Sequence, residues 1–254
     1  MASLFARGLS GLPEVRSGED LAALIFQALN AEQPARPLQD GQVVVIAHKV
    51  VSKAEGAVVN LAGVESTARA RELAAEQGKD ARAVQVVLDQ SVEILRAEHG
   101  VLICRTHHGF VCANAGVDTS NTAAGTLVLL PRDPDASARR IRARLRELSG
   151  SAPAVLITDS FGRAWRHGQL DVAIGLAGMQ PLDDWRGRTD AGGRELVATW
   201  LALADAAAAT AELARAKDSR EPVVLIEGLA RFVTTEDGPG ASALLRPLDE
   251  DLFH

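Results

Sequence analysis

Three short apolar segments, spread across the chain, limit the fold most: QVVVIA (42–47), APAVLITD (152–159) and PVVLIEG (222–228). Each is brief and rich in β-branched residues, and the first is bounded by Gly41, so each reads as a buried strand. VLICRT (101–106) and GFVCAN (109–114) are strand-like too, with HHG between them as a hairpin turn. TLVLLP (126–131) adds another strand, and VAIGLAG (172–178) an apolar segment loosened by glycines. Helices are expected elsewhere. SGED (17–20) starts an amphipathic helix in the manner of a capping box, running to about Asn30. Residues 65–78 and 80–97 predict two helices parted near Gly78. Asp133, Pro134 and Asp135 open a helix that Gly150 ends, and Thr189 or Asp190 can cap a long one reaching about Ala216. Strands and helices mix without regular βαβ alternation and without a repeat of fixed period. The expectation is a compact mixed α/β fold, not a standard doubly wound sheet.

Composition narrows the function. A chain of 254 residues with 47% hydrophobic content can build a substantial core. A net charge of −6 argues against broad binding to nucleic acid or anionic membranes, and the absence of tyrosine leaves little for a base-stacking surface. The start, MASLFARGLSGLPEV, lacks the apolar core of a signal peptide. The alanine-rich stretch near 200–214 is interrupted by Asp205, Glu212 and Arg215, so no membrane span is expected. Cys104 and Cys112 make neither a disulfide framework nor a metal knuckle, and they read as buried thiols of a cytoplasmic protein.

The common catalytic and nucleotide motifs are missing. There is no GxGxxG, no GxxxxGK[ST], no GxSxG and no HExxH. Any nucleotide site must therefore be non-Rossmann and non-P-loop, built from loops at strand ends. Two segments suit that role: NAGVDTSN (114–121) and TDSFGRAWRHGQ (158–169). Each sets an aspartate among small or hydroxyl residues just after an apolar strand. Asp118 and Asp159 are hard oxygen ligands of the kind that hold Mg²⁺ or Mn²⁺ against phosphates, and Ser160 can add a hydroxyl. The same residue types also cap helices and close Asx turns. Lys53 follows the 42–47 strand closely enough to reach a phosphate, with His48 and Lys49 nearer the strand end. Arg163, Arg166 and Gln169 share a face if helical, or ring an anion if looped. Trp165 reads as a packing residue and the arginines at 139–146 as a solvated helix face. His107 and His108 point apart and read as a surface turn. RGRTDAGGRE (186–195) is either a substrate-facing loop or a plain turn.

In chain order, GLPEV (11–15), VVSKAEG (50–56), HGFVCANAGVDTSN (108–121), LPRDPDASA (130–138), TDSFGRAWRHGQLDVAIGLAG (158–178), DWRGRTDAGGREL (184–196) and RPLDEDLF (246–253) resemble the coenzyme F-420-0:L-glutamate ligase family, the γ-glutamyl ligases of a deazaflavin coenzyme. The resemblance implies an unusual mixed-sheet α/β fold, an intertwined homodimer, and one ligase domain over 1–254, with room for two subdomains and no fused nitroreductase-like domain. It implies GTP-dependent joining of L-glutamate to the carboxylate of F-420-0, with further γ-linked glutamates in some members. Two divalent cations, Mg²⁺ or Mn²⁺, and K⁺ assist. By resemblance, Asp118 and Asp159 match the metal aspartates, and Ser160 stands where threonine is usual. Leu12, Pro13, Glu14, Val15, His48, Lys49, Lys53 and Asn121 match nucleotide contacts. A late loop, 215–221, carries Lys217 toward the nucleotide but lacks the family's usual glycine, and Glu227-Gly228 replaces its usual Arg-Gly. Those departures leave open the same chemistry on another carboxylate or amino acid, and a separate alternative is a nucleotide- or deazaflavin-binding protein without catalysis.

Overall fold

The computed structural model describes residues 3–32, 37–119, 123–216 and 218–251. Its elements, in chain order, are β1 (Phe5–Gly8), α1 (Leu21–Ala31), β2 (Val43–Ala47), α2 (His48–Ala54), β3 (Val58–Asn60), α3 (Ala68–Gln77), α4 (Ala81–Asp89), β4 (Ser91–Glu98), β5 (Val101–Thr106), β6 (Val111–Ala113), β7 (Thr126–Val128), α5 (Pro134–Ser149), β8 (Ala154–Arg163), β9 (Arg166–Ala177), β10 (Leu182–Asp184), β11 (Trp200–Ala202), α6 (Leu203–Ala214) and β12 (Val223–Glu227).

The three apolar segments become neighbours. The main sheet runs β1-β12-β2-β8-β9, with β2 and β8 parallel and the other pairs antiparallel. Because successive strand residues face opposite ways, β2 splits its side chains. Val44 and Ile46 join Val155, Ile157 and Leu225 in a core under α1 and α5. Val43 and Val45 join Leu156, Val224 and Ile226 in a second core under the alanine-rich face of α6. Both faces are covered, which is why these strands read as unbroken apolar runs. The alanines let α6 approach closely: Ala204, Ala208 and Ala211 are fully buried against the sheet. A third, smaller core joins α3 and α4 to the antiparallel sheet β4-β5-β6 through Leu73, Val84, Val87 and Leu102. The architecture is thus a mixed α/β fold with mixed sheets, as the sequence suggests.

Helix ends follow their capping residues. Asp20 accepts from the Ala23 amide at the start of α1, and Asp133 from the Ala136 amide at the start of α5. Gly150 closes α5 in the left-handed conformation (φ 75°).

Several expectations need correction. The helix expected over 80–97 ends at Asp89, and Ser91–Glu98 is strand β4. Its pairing with β5 supplies hydrogen bonds that override the local helical reading. The long helix expected from Thr189 or Asp190 starts only at Leu203. Asp190 instead accepts from the amides of Gly192 and Arg194, closing a turn between β10 and β11. The N-terminal strand β1, which carries no strong apolar signal, pairs along β12. Arg163 to Gln169 lie on the β8–β9 hairpin, not on a helix. Trp165, expected to pack, sits at the tip of that hairpin and is 76% exposed. The arginine run is solvated except for Arg142, which is buried and donates to the carbonyls of Pro153, Thr234 and Thr235 and to Asp237. No helix among the described residues is long and apolar enough to cross a membrane.

Candidate active site

The carboxyl ends of β2 and β8, which are parallel neighbours, deliver the key side chains. Strand β2 passes directly into α2, so that His48 and Lys49 emerge at its end. Strand β8 carries Asp159 and Ser160 at the corresponding level, with Thr158 paired to Ala47. This is the place where open α/β sheets usually gather ligands.

Asp118 arrives from a different direction. Asn114 and Ala115 adopt left-handed backbone (φ 50° and 53°), followed by Gly116 (φ 69°). Two consecutive non-glycine residues in this region are strained, and the buried Ala115 methyl in the third core helps hold them there. A Cβ at Gly116 would sit 2.7 Å from the Leu130 side chain, so glycine is required. The turn sends the chain back along β7, where Asp118 makes a bridge to Val128.

The two aspartates line one cleft of about 530 Å³, together with Ser160 and Gln169. They are held by adjacent residues. The Lys49 ammonium lies 2.6 Å from Asp118 Oδ2. The ring of His48, which is 2% exposed, brings Nε2 within 3.2 Å of Asp159 Oδ1. That contact is not aligned as a hydrogen bond, and among the described residues Nε2 has no other acceptor. Asp159 also accepts from the Ser160 amide at 2.8 Å. The donor set therefore consists of two carboxylates and a hydroxyl, all oxygen, with a lysine ammonium already drawn to one of them. Such a set fits a hard divalent cation that keeps some of its own water or phosphate oxygens. Among the described residues no group of three or more His, Cys, Asp and Glu side chains could hold a metal unaided.

A buried network lies behind Ser160. Its Oγ donates to Asp171 Oδ1 at 2.6 Å, and Thr158 donates to Asp171 Oδ2 at 3.0 Å. Arg215 closes an ion pair with the same carboxylate, which is 1% exposed, and also donates to Thr158. The Asp171 amide donates to Glu212 on α6. Asp171 thus ties β8, β9 and the end of α6 together just beneath the cleft. The sequence reading missed it, although it lies two residues beyond Gln169 on an alternating strand.

Other expected residues fall in different places. Lys53 forms an ion pair with Glu14, which brings the Leu12–Val15 segment against α2. Leu12 is half-buried and packs with Val15 on the first core. Neither Glu14 nor Lys53 lines the cleft. Gln169 does, but Arg163 and Arg166 do not; they pair across the hairpin turn, and Arg163 donates to the His167 carbonyl. His107 and His108 form the turn expected of them, donating to the carbonyls of Asp89 and Pro131. Asn121 and Lys217 lie outside the described residues.

Cys112 also lines the cleft. Burial, then the negative charge of Asp159 and then Cys104, push its thiol up to about 12. It is a neutral packing group at physiological pH. Cys104, opposite it on β5, is raised by burial as well.

The class of protein is shown by a match to a family of γ-glutamyl ligases. The chain belongs to the F420-0:Gamma-glutamyl ligase family, whose sequence model matches residues 11–228. It is 42% identical over 247 residues to the Coenzyme F420:L-glutamate ligase of Methanothermobacter thermautotrophicus, covering 97% of each chain. It is 45% identical over 242 residues to the protein of that name from Methanopyrus kandleri, covering 94% of this chain and 93% of the other. The Archaeoglobus fulgidus protein of that name is 41% identical over 222 residues, covering 87% of this chain and 86% of the other.

Proposed function

We propose that this chain is a GTP-dependent ligase that joins the amino group of L-glutamate to the carboxylate of coenzyme F-420-0. Membership of the ligase family and the names of its relatives support the ligase and its two organic substrates. The observation that carries the chemical reading is the convergence of Asp118 and Asp159 on one cleft, each facing a cationic or ring nitrogen of adjacent residues.

A carboxylate does not condense with an amine in water unaided. In this reading the acceptor carboxylate oxygen attacks the γ-phosphorus of GTP, the bond from that phosphorus to the β,γ-bridging oxygen breaks, and GDP leaves. The glutamate amine then attacks the acyl carbon of the acyl phosphate. Inorganic phosphate departs, and the amine loses a proton to water or a nearby base. The protein's share is positioning and charge. Lys49 and Lys53 offset phosphate charge, His48 lies against Asp159, and the Asp171 network holds Ser160 in place. Divalent cations held by Asp118, Asp159 and Ser160 would neutralise the triphosphate and the charge developing on the transferred group. K⁺ and the nucleotide contacts of Leu12–Val15, Asn121 and Lys217 belong to the same reading.

The test is incubation with GTP, Mg²⁺ or Mn²⁺, L-glutamate and F-420-0, followed by mass measurement. The expected product is heavier than F-420-0 by one or more glutamyl residues, with one GDP and one phosphate per bond formed. Phosphate release independent of the acceptor, or a product only from an acid other than F-420-0, would overturn the assignment.

A further inference from the structure

The cleft has two chemical halves, and the ligase reading accounts for only one. Besides the acids, the cleft is lined by Ala83, Val84 and Val87 of α4 and by Leu61 and Leu127. Lys79 joins this wall, and among the described residues its ammonium makes no hydrogen bond or ion pair. The neighbouring Asp80 does not neutralise it. That carboxylate, which also lines the cleft, forms its ion pair with Arg82 instead. An apolar wall with one uncommitted cation suits a ligand with a flat apolar body and a negative group. It suits neither glutamate, which is small and polar, nor a triphosphate. The Glu14–Lys53 pair, on the segments given to the nucleotide by resemblance, lies outside this lining.

We propose that the α4 wall is the acceptor subsite: the ring of the deazaflavin acceptor lies against Leu61, Ala83, Val84, Val87 and Leu127, Lys79 meets one of its anionic groups, and its carboxylate faces Asp118 and Asp159. This rests on the ligase reading and adds to it which side of the aspartates each substrate occupies. The acceptor enters from α4, and GTP comes from the α2 side. A cleft of about 530 Å³ is within the usual range for a ligand of this size. Ala83 is half-buried and faces the cleft, so a larger side chain there fills the subsite without opening the core.

The test measures binding of F-420-0, followed by its ring fluorescence, and of a fluorescent GTP analogue, to wild type, Ala83→Trp and Lys79→Ala. Thermal unfolding of each variant checks the fold. Ala83→Trp is expected to weaken F-420-0 binding by about tenfold or more. Lys79→Ala is expected to weaken it several-fold, with the difference shrinking at high salt. GTP affinity stays within about twofold in both. Unchanged F-420-0 affinity in both variants overturns the subsite, as does a loss of GTP affinity that matches or exceeds the loss of acceptor. Wild type that binds GTP but no F-420-0 overturns the ligase reading itself, an outcome distinct from a misplaced subsite.

Discussion

The Lys49 ammonium lies 2.6 Å from the Asp118 carboxylate, although one residue follows the main sheet and the other bridges to strand β7. Lys49 lies in the first turn of α2 at the end of the main sheet, and Asp118 follows a left-handed turn beside β7. Their contact, with that of His48 and Asp159, brings both aspartates to one place. A cation entering there competes with the lysine for Asp118. Replacing Lys49 with methionine is therefore expected to tighten Mn²⁺ binding measured in the absence of nucleotide. In the proposed reading, where Lys49 offsets phosphate charge, it should weaken GTP binding. Loss of Mn²⁺ affinity in this variant would mean that Lys49 supports the cation site and does not compete for it.

Asp171 is expected to behave as a structural anchor. Its carboxylate is 1% exposed and shared by Thr158, Ser160 and Arg215. Asp171→Ala leaves a partly buried guanidinium without its carboxylate and should cost about 3 kcal/mol of stability, measured by denaturant unfolding. Pairing it with Arg215→Met should recover part of that loss, giving clear coupling in a double-mutant cycle. Additive losses would show that the two side chains do not act as a pair.

Cys112 sets a pH dependence. Its thiol is pushed up to about 12, above an ordinary value of 9.0. Between those two pH values the unfolded chain has released the thiol proton while the folded chain still holds it. The stabilising contribution is complete below about pH 9 and is lost as pH rises toward 12. Cys112→Ala should flatten this part of the alkaline unfolding curve relative to wild type. Folded wild type should also react with iodoacetamide at Cys112 far more slowly than unfolded chain at pH 8. Fast labelling of the folded protein would contradict the burial.

The homodimer expected from the family resemblance can be tested at its exposed apolar residues. Trp165 at the β8–β9 tip is 76% exposed, and Val197 and Trp200 on the β10–β11 arm are 77% and 50% exposed. Contiguous exposed apolar patches mark association surfaces, and these side chains are the candidates for one. Analytical ultracentrifugation should give twice the chain mass, and Trp165→Ser with Trp200→Ser should shift the balance toward monomer. A wild-type monomer at micromolar concentration would contradict the expectation.

How much the sequence disclosed depended on where the information resides. The strands at 43–47 and 223–227, and the first part of 154–163 up to Asp159, were legible because covered strands carry continuous apolar runs. The caps Asp133 and Gly150 were legible because capping is local chemistry, whereas the capping box read at 17–20 gives way to Asp20 as the N-cap of α1. Strand β4 was not, since SVEILRAE has no decisive local preference and its state is set by the partner strand. The same holds for β11, which pairs with β10 across a long turn. At the site, Asp118 and Asp159 stood out through their small, hydroxyl-rich neighbours. Asp171 did not, because its role comes from facing Arg215, 44 residues away. The α4 wall was hidden for a similar reason: Ala83, Val84 and Val87 look like ordinary core residues until β7 and the 114–119 turn are brought opposite them.

The central claim is that Asp118 and Asp159 form one cation-holding centre that the ligase reaction requires. The most direct measurement is Mn²⁺ binding by electron paramagnetic resonance, run beside GDP release, for wild type, Asp118→Asn and Asp159→Asn. The account predicts that each variant keeps its unfolding midpoint, loses most bound Mn²⁺, and releases GDP slower by about 10²-fold or more with F-420-0 and glutamate present. Near-normal Mn²⁺ binding and turnover in either folded variant would contradict it.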